Sequence, residues 1–196
     1  MRKTLVASLM GVVMLSGSEA LPGELRYMQL TVGQSVEIAG QLQKDRIFKA
    51  DDVELLPGQR RPKLRGAISD LDSVTTSIKL FGRWIRITDE TQFVDAGGAQ
   101  VEFKMLKPEE RVEVSCKVDS AGNWIARHIR TKKVKKSDKI KGTISRLAFD
   151  GHSPDTLSIS SLLILVTDAT NVFKTLGSAS GTKNDGAVES DSSERR

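Results

Sequence analysis

The stretch Leu64-Arg65-Gly66-Ala67-Ile68-Ser69 returns 76 positions later as Ile140-Lys141-Gly142-Thr143-Ile144-Ser145. The same shift lays Val36-Glu37-Ile38 on Val112-Glu113-Val114, Ala50 on Ala126 and Val53 on Ile129. It also lays Leu30 on Leu106 and Leu71 on Leu147. Apolar positions stay apolar in one register over roughly forty residues, the signature of an internal repeat. After a three-residue slip, Thr88-Asp89-Glu90-Thr91 meets Thr167-Asp168-Ala169-Thr170.

Each copy reads as short strands. In Val112-Glu-Val-Ser-Cys-Lys-Val118 apolar residues take alternate places, and a period of two buries one face of a strand. Cys116 lies on that face, where cysteine acts as a small hydrophobe rather than as a reactive thiol. Ser77–Phe81, Gly82 and Arg83–Thr88 read as a hairpin turned at glycine. Its counterpart, Thr156–Thr167, carries the apolar run Leu162–Val166, expected to be covered on both faces or to lie where the copies meet. Asp119-Ser-Ala-Gly-Asn123 is turn chemistry. Ala126 and Ile129, three apart, predict a bulge in an otherwise regular strand. No long 3.6-residue pattern occurs, so the expected class is all-β, and short strands that close on themselves leave no exposed sheet edge.

The ends read differently. Arg2 and Lys3 precede an apolar stretch from Thr4 to Leu15, and Ser18-x-Ala20 offers a small-residue cleavage site. Residues 1–20 are therefore expected to be a signal peptide cleaved after Ala20, which places the chain in the periplasm or outside the cell. Residues 177–196 are Gly-, Ser- and charge-rich and are expected to be a disordered tail. About 150 residues remain between, enough for two small barrels. The 76-residue period suggests tandem modules at 28–97 and 104–176. A second cut makes one complete unit from Leu64 to Val134, with half-units Leu30–Pro57 and Lys139–Phe173 completing each other.

Gly-x-Ile-Ser, a glycine-turned hairpin, Thr-x-Phe, Val-Glu-Val and Ala-x-x-Ile together resemble an uncharacterised family of exported bacterial β repeat domains. Gly66, Ile68, Gly82, Thr91, Phe93, Leu106, Val112, Glu113, Val114, Ala126 and Ile129 carry the likeness. The resemblance implies two OB-like five-stranded barrels in an envelope or secreted protein, and no activity. Family members usually show Gly-Asp before Val-Glu-Val, where this chain has Glu110-Arg111. The glycine that follows Val-Glu-Val-x is Gly40 in the first copy but Cys116 in the second.

The chemistry of the residues points away from catalysis. One cysteine excludes an internal disulfide or a multi-cysteine metal site, and two histidines leave little for acid–base work. His128 sits among cations. Asp150, His152 and Asp155 share a loop that reads as an ordinary polar turn rather than a divalent-cation site. Asp89, Glu90 and Asp168 fall in Thr-Asp-x-Thr turns, where Asp and Thr bond the backbone. No nucleophile elbow, phosphate loop, haem-attachment or dinucleotide fingerprint occurs. The expected protein is a non-enzyme without cofactor or metal.

The formal net charge is +5, from 30 basic and 25 acidic residues. Arg127, Arg130, Lys132, Lys133, Lys135, Lys136, Lys139 and Lys141 crowd fifteen positions opposed only by Asp138, with an echo in Arg60, Arg61, Lys63 and Arg65. Such a run focuses a positive field on polyanions. The expected partner is an anionic envelope component or another envelope protein, with peripheral membrane contact. Nucleic acid fits less well, because Trp124 matches Phe48 as a packing residue would, which leaves few stacking platforms. A bland alternative is that these lysines only solvate a connector and guard a strand edge. A different function, accessory to an envelope assembly, would use the apolar surface near Leu162–Val166.

Overall fold

In the computed structural model, which describes residues 24–25, 29–45, 47–133, 137–149 and 155–174, the alternation of the sequence becomes burial. Val112, Val114 and Cys116 are enclosed while Glu113, Ser115 and Lys117 between them face outward. The fold is all-β, with 57% of the described residues in strands and almost no helix.

The chain runs β1 (Glu24–Leu25), β2 (Ser35–Leu42), β3 (Phe48–Leu56), β4 (Lys63–Ala67), β5 (Asp70–Asp72), β6 (Ser77–Leu80) and β7 (Arg83–Arg86). It continues through β8 (Gln92–Val94), β9 (Arg111–Val118), β10 (Trp124–Thr131), β11 (Asp138–Ala148), β12 (Asp155–Ile159), β13 (Leu162–Val166) and β14 (Asn171–Lys174). One barrel closes within residues 63–131. In it β5 pairs β6, β6 pairs β7, β7 runs parallel to β10, β10 pairs β9, and β9 returns to β4. β4 and β5 act as one bent strand that changes partner at its kink: the Ile68 amide bonds the Glu110 carbonyl and the Ser69 amide bonds that of Lys79.

The other ring has the same order but is assembled from both ends of the chain. β11 pairs β12, β12 pairs β13, β13 runs parallel to β3, β3 pairs β2, and β2 returns to β11. β1 pairs β14 beside it. The tandem boundaries 28–97 and 104–176 therefore cut across both rings. Segments 35–56 and 138–174 complete each other, and the central unit closes alone. A repeat in the sequence shows which segments are alike, whereas ring closure depends on which copy a strand meets, and both copies offer equivalent edges.

The rings share a seam at β4 and β11, where Lys139 lies opposite Arg65, Ile140 opposite Leu64 and Lys141 opposite Lys63. Leu64 and Ile140, 76 residues apart, are both fully buried, so a local two-fold axis passes through this pair. Across the interface Phe48 meets Phe81 edge to face at 5.2 Å. On the other side of the axis Trp124, the counterpart of Phe48, meets the matching hairpin turn through a polar contact: its Nε1 donates to Ser161 Oγ at 3.0 Å.

Two motif positions now have physical reasons. A Cβ on Gly66 would sit 2.6 Å from Phe81 Cζ, and one on Gly142 2.6 Å from Ile159 Cγ2, so glycine there admits the neighbouring hairpin. The predicted bulge is present, since the β9–β10 register shifts between Ala126 and His128 with Arg127 as the extra residue. β2–β3 shifts at the matching place, between Ala39 and Gly40. At each bulge a buried threonine bonds the backbone: Thr91 Oγ1 donates to the Ala126 carbonyl and Thr170 Oγ1 to that of Ala50, both at 2.9 Å. The same hydroxyls accept the amides of Thr88 and Thr167 at 3.0 Å.

The signal segment, the tail, Asp150 and His152 lie outside the described residues. Leu162–Val166 is not covered on both faces. Leu162, Ile164 and Val166 enter the core, Leu165 is half-buried, and Leu163 remains 44% exposed.

Candidate functional site

Outward positions on the seam strands carry charge in a symmetric arrangement. Glu113 on β9 accepts hydrogen bonds from the Arg65 guanidinium, through Nε at 2.9 Å and through Nη2, and from Lys63 Nζ at 3.4 Å. Lys132 Nζ stands 3.7 Å from the same carboxylate. Across the axis, Glu37 on β2 takes Lys139 and Lys141. Burial raises the pKa of both glutamates, but the hydrogen bonds and nearby cations outweigh it and hold each below the ordinary carboxylate range.

Next to this cluster a recess of about 120 Å³ is lined by Arg65, Arg111, Lys132 and Lys133. Every lining side chain is cationic. Arg111 is held by Asp138 Oδ1 at 2.5 Å, and its carbonyl accepts the Lys132 amide at 2.8 Å. Lys133 is exposed and makes no ion pair among the described residues. Glu113 and Asp138 thus fix the guanidinium groups from the side, leaving four cations against two carboxylates. A phosphate- or sulfate-bearing group entering the recess would meet fixed donors that need little further ordering.

The structure sorts the basic run. Lys132 and Lys133 reach the recess. Arg130 is exposed on β10, in register with Glu113. Arg127 is the extra residue at the bulge, midway along β10, and does not line the recess. Lys139 and Lys141 pair with Glu37 and do not line the recess. Lys135 and Lys136 lie outside the described residues. Of the weaker echo, Arg65 joins the recess and Lys63 stays on Glu113.

Arg111 is the member that residue-by-residue reading missed. Its signal was present in the sequence, as a cation where the resembling pattern has an acid. The apolar alternative offers little, since only Leu163 and Leu165 of that run face outward. An interface of ordinary size covers about 800 Å² per partner.

Two other sequence candidates take structural places. Cys116 is buried, and burial pushes its thiol up to about 12. His128 faces outward on β10 opposite Ser115. Among the described residues, no three His, Cys, Asp or Glu side chains gather as a metal site would require.

Residues 65–130 match the family model described as a domain of unknown function (DUF5666). The match begins at Arg65 on β4 and ends at Arg130 on β10, so it coincides with the barrel that closes on itself. No curated protein and no solved structure matches the chain.

Proposed function

We propose that the protein is an exported, non-enzymatic binding module that recognises an anionic component of the cell envelope. The convergence of Arg65, Arg111, Lys132 and Lys133 on one recess, with no acid in its lining, carries this reading. The recess suits a single phosphate-bearing headgroup, and Arg130 on the neighbouring strand extends the positive field over a peripheral membrane contact. The apolar stretch at residues 1–20 supports export, and the scarcity of histidine and cysteine supports binding rather than catalysis.

The test is co-sedimentation of the purified chain with phosphatidylglycerol vesicles and with neutral phosphatidylcholine vesicles. Binding to the anionic vesicles is expected at low salt and should fall steeply towards 1 M, where the screening length shrinks to about 3 Å. Replacing Lys132 and Lys133 by glutamate should abolish it. Equal binding to neutral vesicles, indifference to salt, or full binding by the charge-reversed variant would refute the proposal.

A further inference from the structure

A cleft of about 950 Å³ lies away from the basic recess, on the outer face of β6 and β7. Trp84 lines it and is 43% exposed, an unusual outlay for an indole on a chain with only two tryptophans. Lys79, opposite it on β6, stands 5.0 Å over the ring, and is not part of the cleft lining. The indole is thereby held in place beside the cleft.

Two loops wall the cleft, and each is stiffened by an aspartate. Asp72 accepts the amides of Val74 and Thr75 and the Thr75 hydroxyl. Asp119 accepts the amides of Ala121 and Asn123 and the Asn123 side chain. These bonds hold both carboxyls below their ordinary range, led by Thr75 at Asp72 and by Asn123 at Asp119. Ser161 of the other ring forms an end wall, fixed by Trp124 and by the Arg83 guanidinium on its carbonyl. Arg86 lines the cleft with no partner among the described residues.

Charge selects the occupant. Arg83 and Arg86 face Asp72 and Asp119, so the lining is balanced, unlike the recess described above. Single-stranded nucleic acid needs a cationic track and successive stacking platforms. Here only one of the two lining indoles, Trp84, is exposed, and two ionised carboxylates would repel phosphates. A neutral sugar chain fits better: its apolar ring face stacks on Trp84 while the Arg86 guanidinium and the second N–H of the Asn123 amide serve its hydroxyls. We infer that the Trp84 cleft binds a neutral saccharide chain, at a site independent of the anion recess.

The probes are β-1,4-linked hexasaccharides of glucose and of N-acetylglucosamine, titrated into the full chain by isothermal calorimetry, which reads every variant alike, with tryptophan fluorescence followed in parallel. Trp84 is exposed and Trp124 is 2% exposed, so a signal carried by Trp84 reports the cleft and the residual emission reports the fold. At least one hexasaccharide is expected to bind, with Trp84→Ala weakening it about tenfold or more and Trp84→Phe less, since stacking alone is worth on that order. The Lys132→Glu, Lys133→Glu variant should bind it normally, which separates this site from the vesicle result. Three outcomes would overturn the inference: no binding of either sugar, sugar binding that Trp84→Ala leaves intact, or a salt-sensitive preference for an oligothymidylate probe.

Discussion

Replacing Thr91 or Thr170 by valine isolates one device that the two rings share. Valine keeps the shape of the side chain and removes only the hydroxyl. At Thr91 this takes a donor from the Ala126 carbonyl at 2.9 Å and an acceptor from the Thr88 amide at 3.0 Å. At Thr170 it takes the same pair from Ala50 and Thr167, at the same distances. Both threonines are 8% exposed, so water cannot readily replace the bonds. A buried polar group left without its partner costs about 1–3 kcal/mol, and valine recovers part of that by having no hydroxyl to bury. We expect each variant to lose about 2–3 kcal/mol, which for a small protein moves the urea midpoint by about 1 M. Serine at either position retains the oxygen and should cost less than valine. Equilibrium urea unfolding followed by circular dichroism measures this directly. A loss below about 0.5 kcal/mol at either site, or serine as damaging as valine, would show that the hydroxyls do not hold the bulges.

Other consequences are equally direct. Gly40→Ala should prevent stable folding, because its Cβ would lie 2.1 Å from the Lys49 carbonyl oxygen, a backbone atom that cannot swing away; a soluble, cooperatively unfolding variant would contradict this. Glu37 and Glu113 both titrate below their ordinary value of 4.5, so their contribution is fully present above that pH and is lost as pH falls through the depressed native values. Replacing both by glutamine should lower stability at neutral pH and flatten that acid limb in denaturation curves taken at successive pH values. Cys116, with its thiol pushed up to about 12, should resist a thiol reagent at pH 8 until denaturant is added, and rapid native labelling would refute its burial. Ser161→Ala should destabilise by about 1–3 kcal/mol in the same urea assay, since it strands the Trp124 N–H at a site only 2% exposed.

Much of the fold was legible because its determinants are local. Alternation in Val112–Val118, the glycine hairpin and the spacing of Ala126 and Ile129 each report on a strand and its immediate neighbours. The Thr-Asp-x-Thr turns were legible as backbone-bonding segments, although the far partners of Thr91 and Thr170 were not. Those partners lie 35 and 120 residues away, and nothing local marks them. The basic run was legible as a candidate anion-binding surface, but not which of its members converge on one recess. Whether a lysine is free depends on the carboxylate that strand pairing brings beside it, and Glu37 reaches Lys139 across 102 residues. Arg111 and Trp84 gained their significance only when segments distant in sequence closed around them.

Ring closure was the hardest feature to read, and the unlike residues at like positions explain what selects it. With tandem closure, Glu37 would meet Lys63 and Arg65, and Glu113 would meet Lys139 and Lys141. The charge pairs would be nearly equivalent, so they choose neither arrangement. The contacts between rings are not equivalent. In the observed closure Phe81 meets Phe48, apolar against apolar, while the Trp124 N–H finds the Ser161 hydroxyl. By the three-residue slip Phe81 matches Ser160 and Gly82 matches Ser161, so tandem closure would set Phe48 against the Ser160–Ser161 turn and Trp124 against the Phe81–Gly82 turn. Neither Phe81 nor Gly82 carries a side-chain acceptor, so the indole N–H would be left unpaired, at about 1–3 kcal/mol. That is an appreciable fraction of a net stability of about 5–15 kcal/mol. Divergence at these positions thus does what the repeat itself cannot: it makes one closure of two nearly identical halves lower in energy than the other.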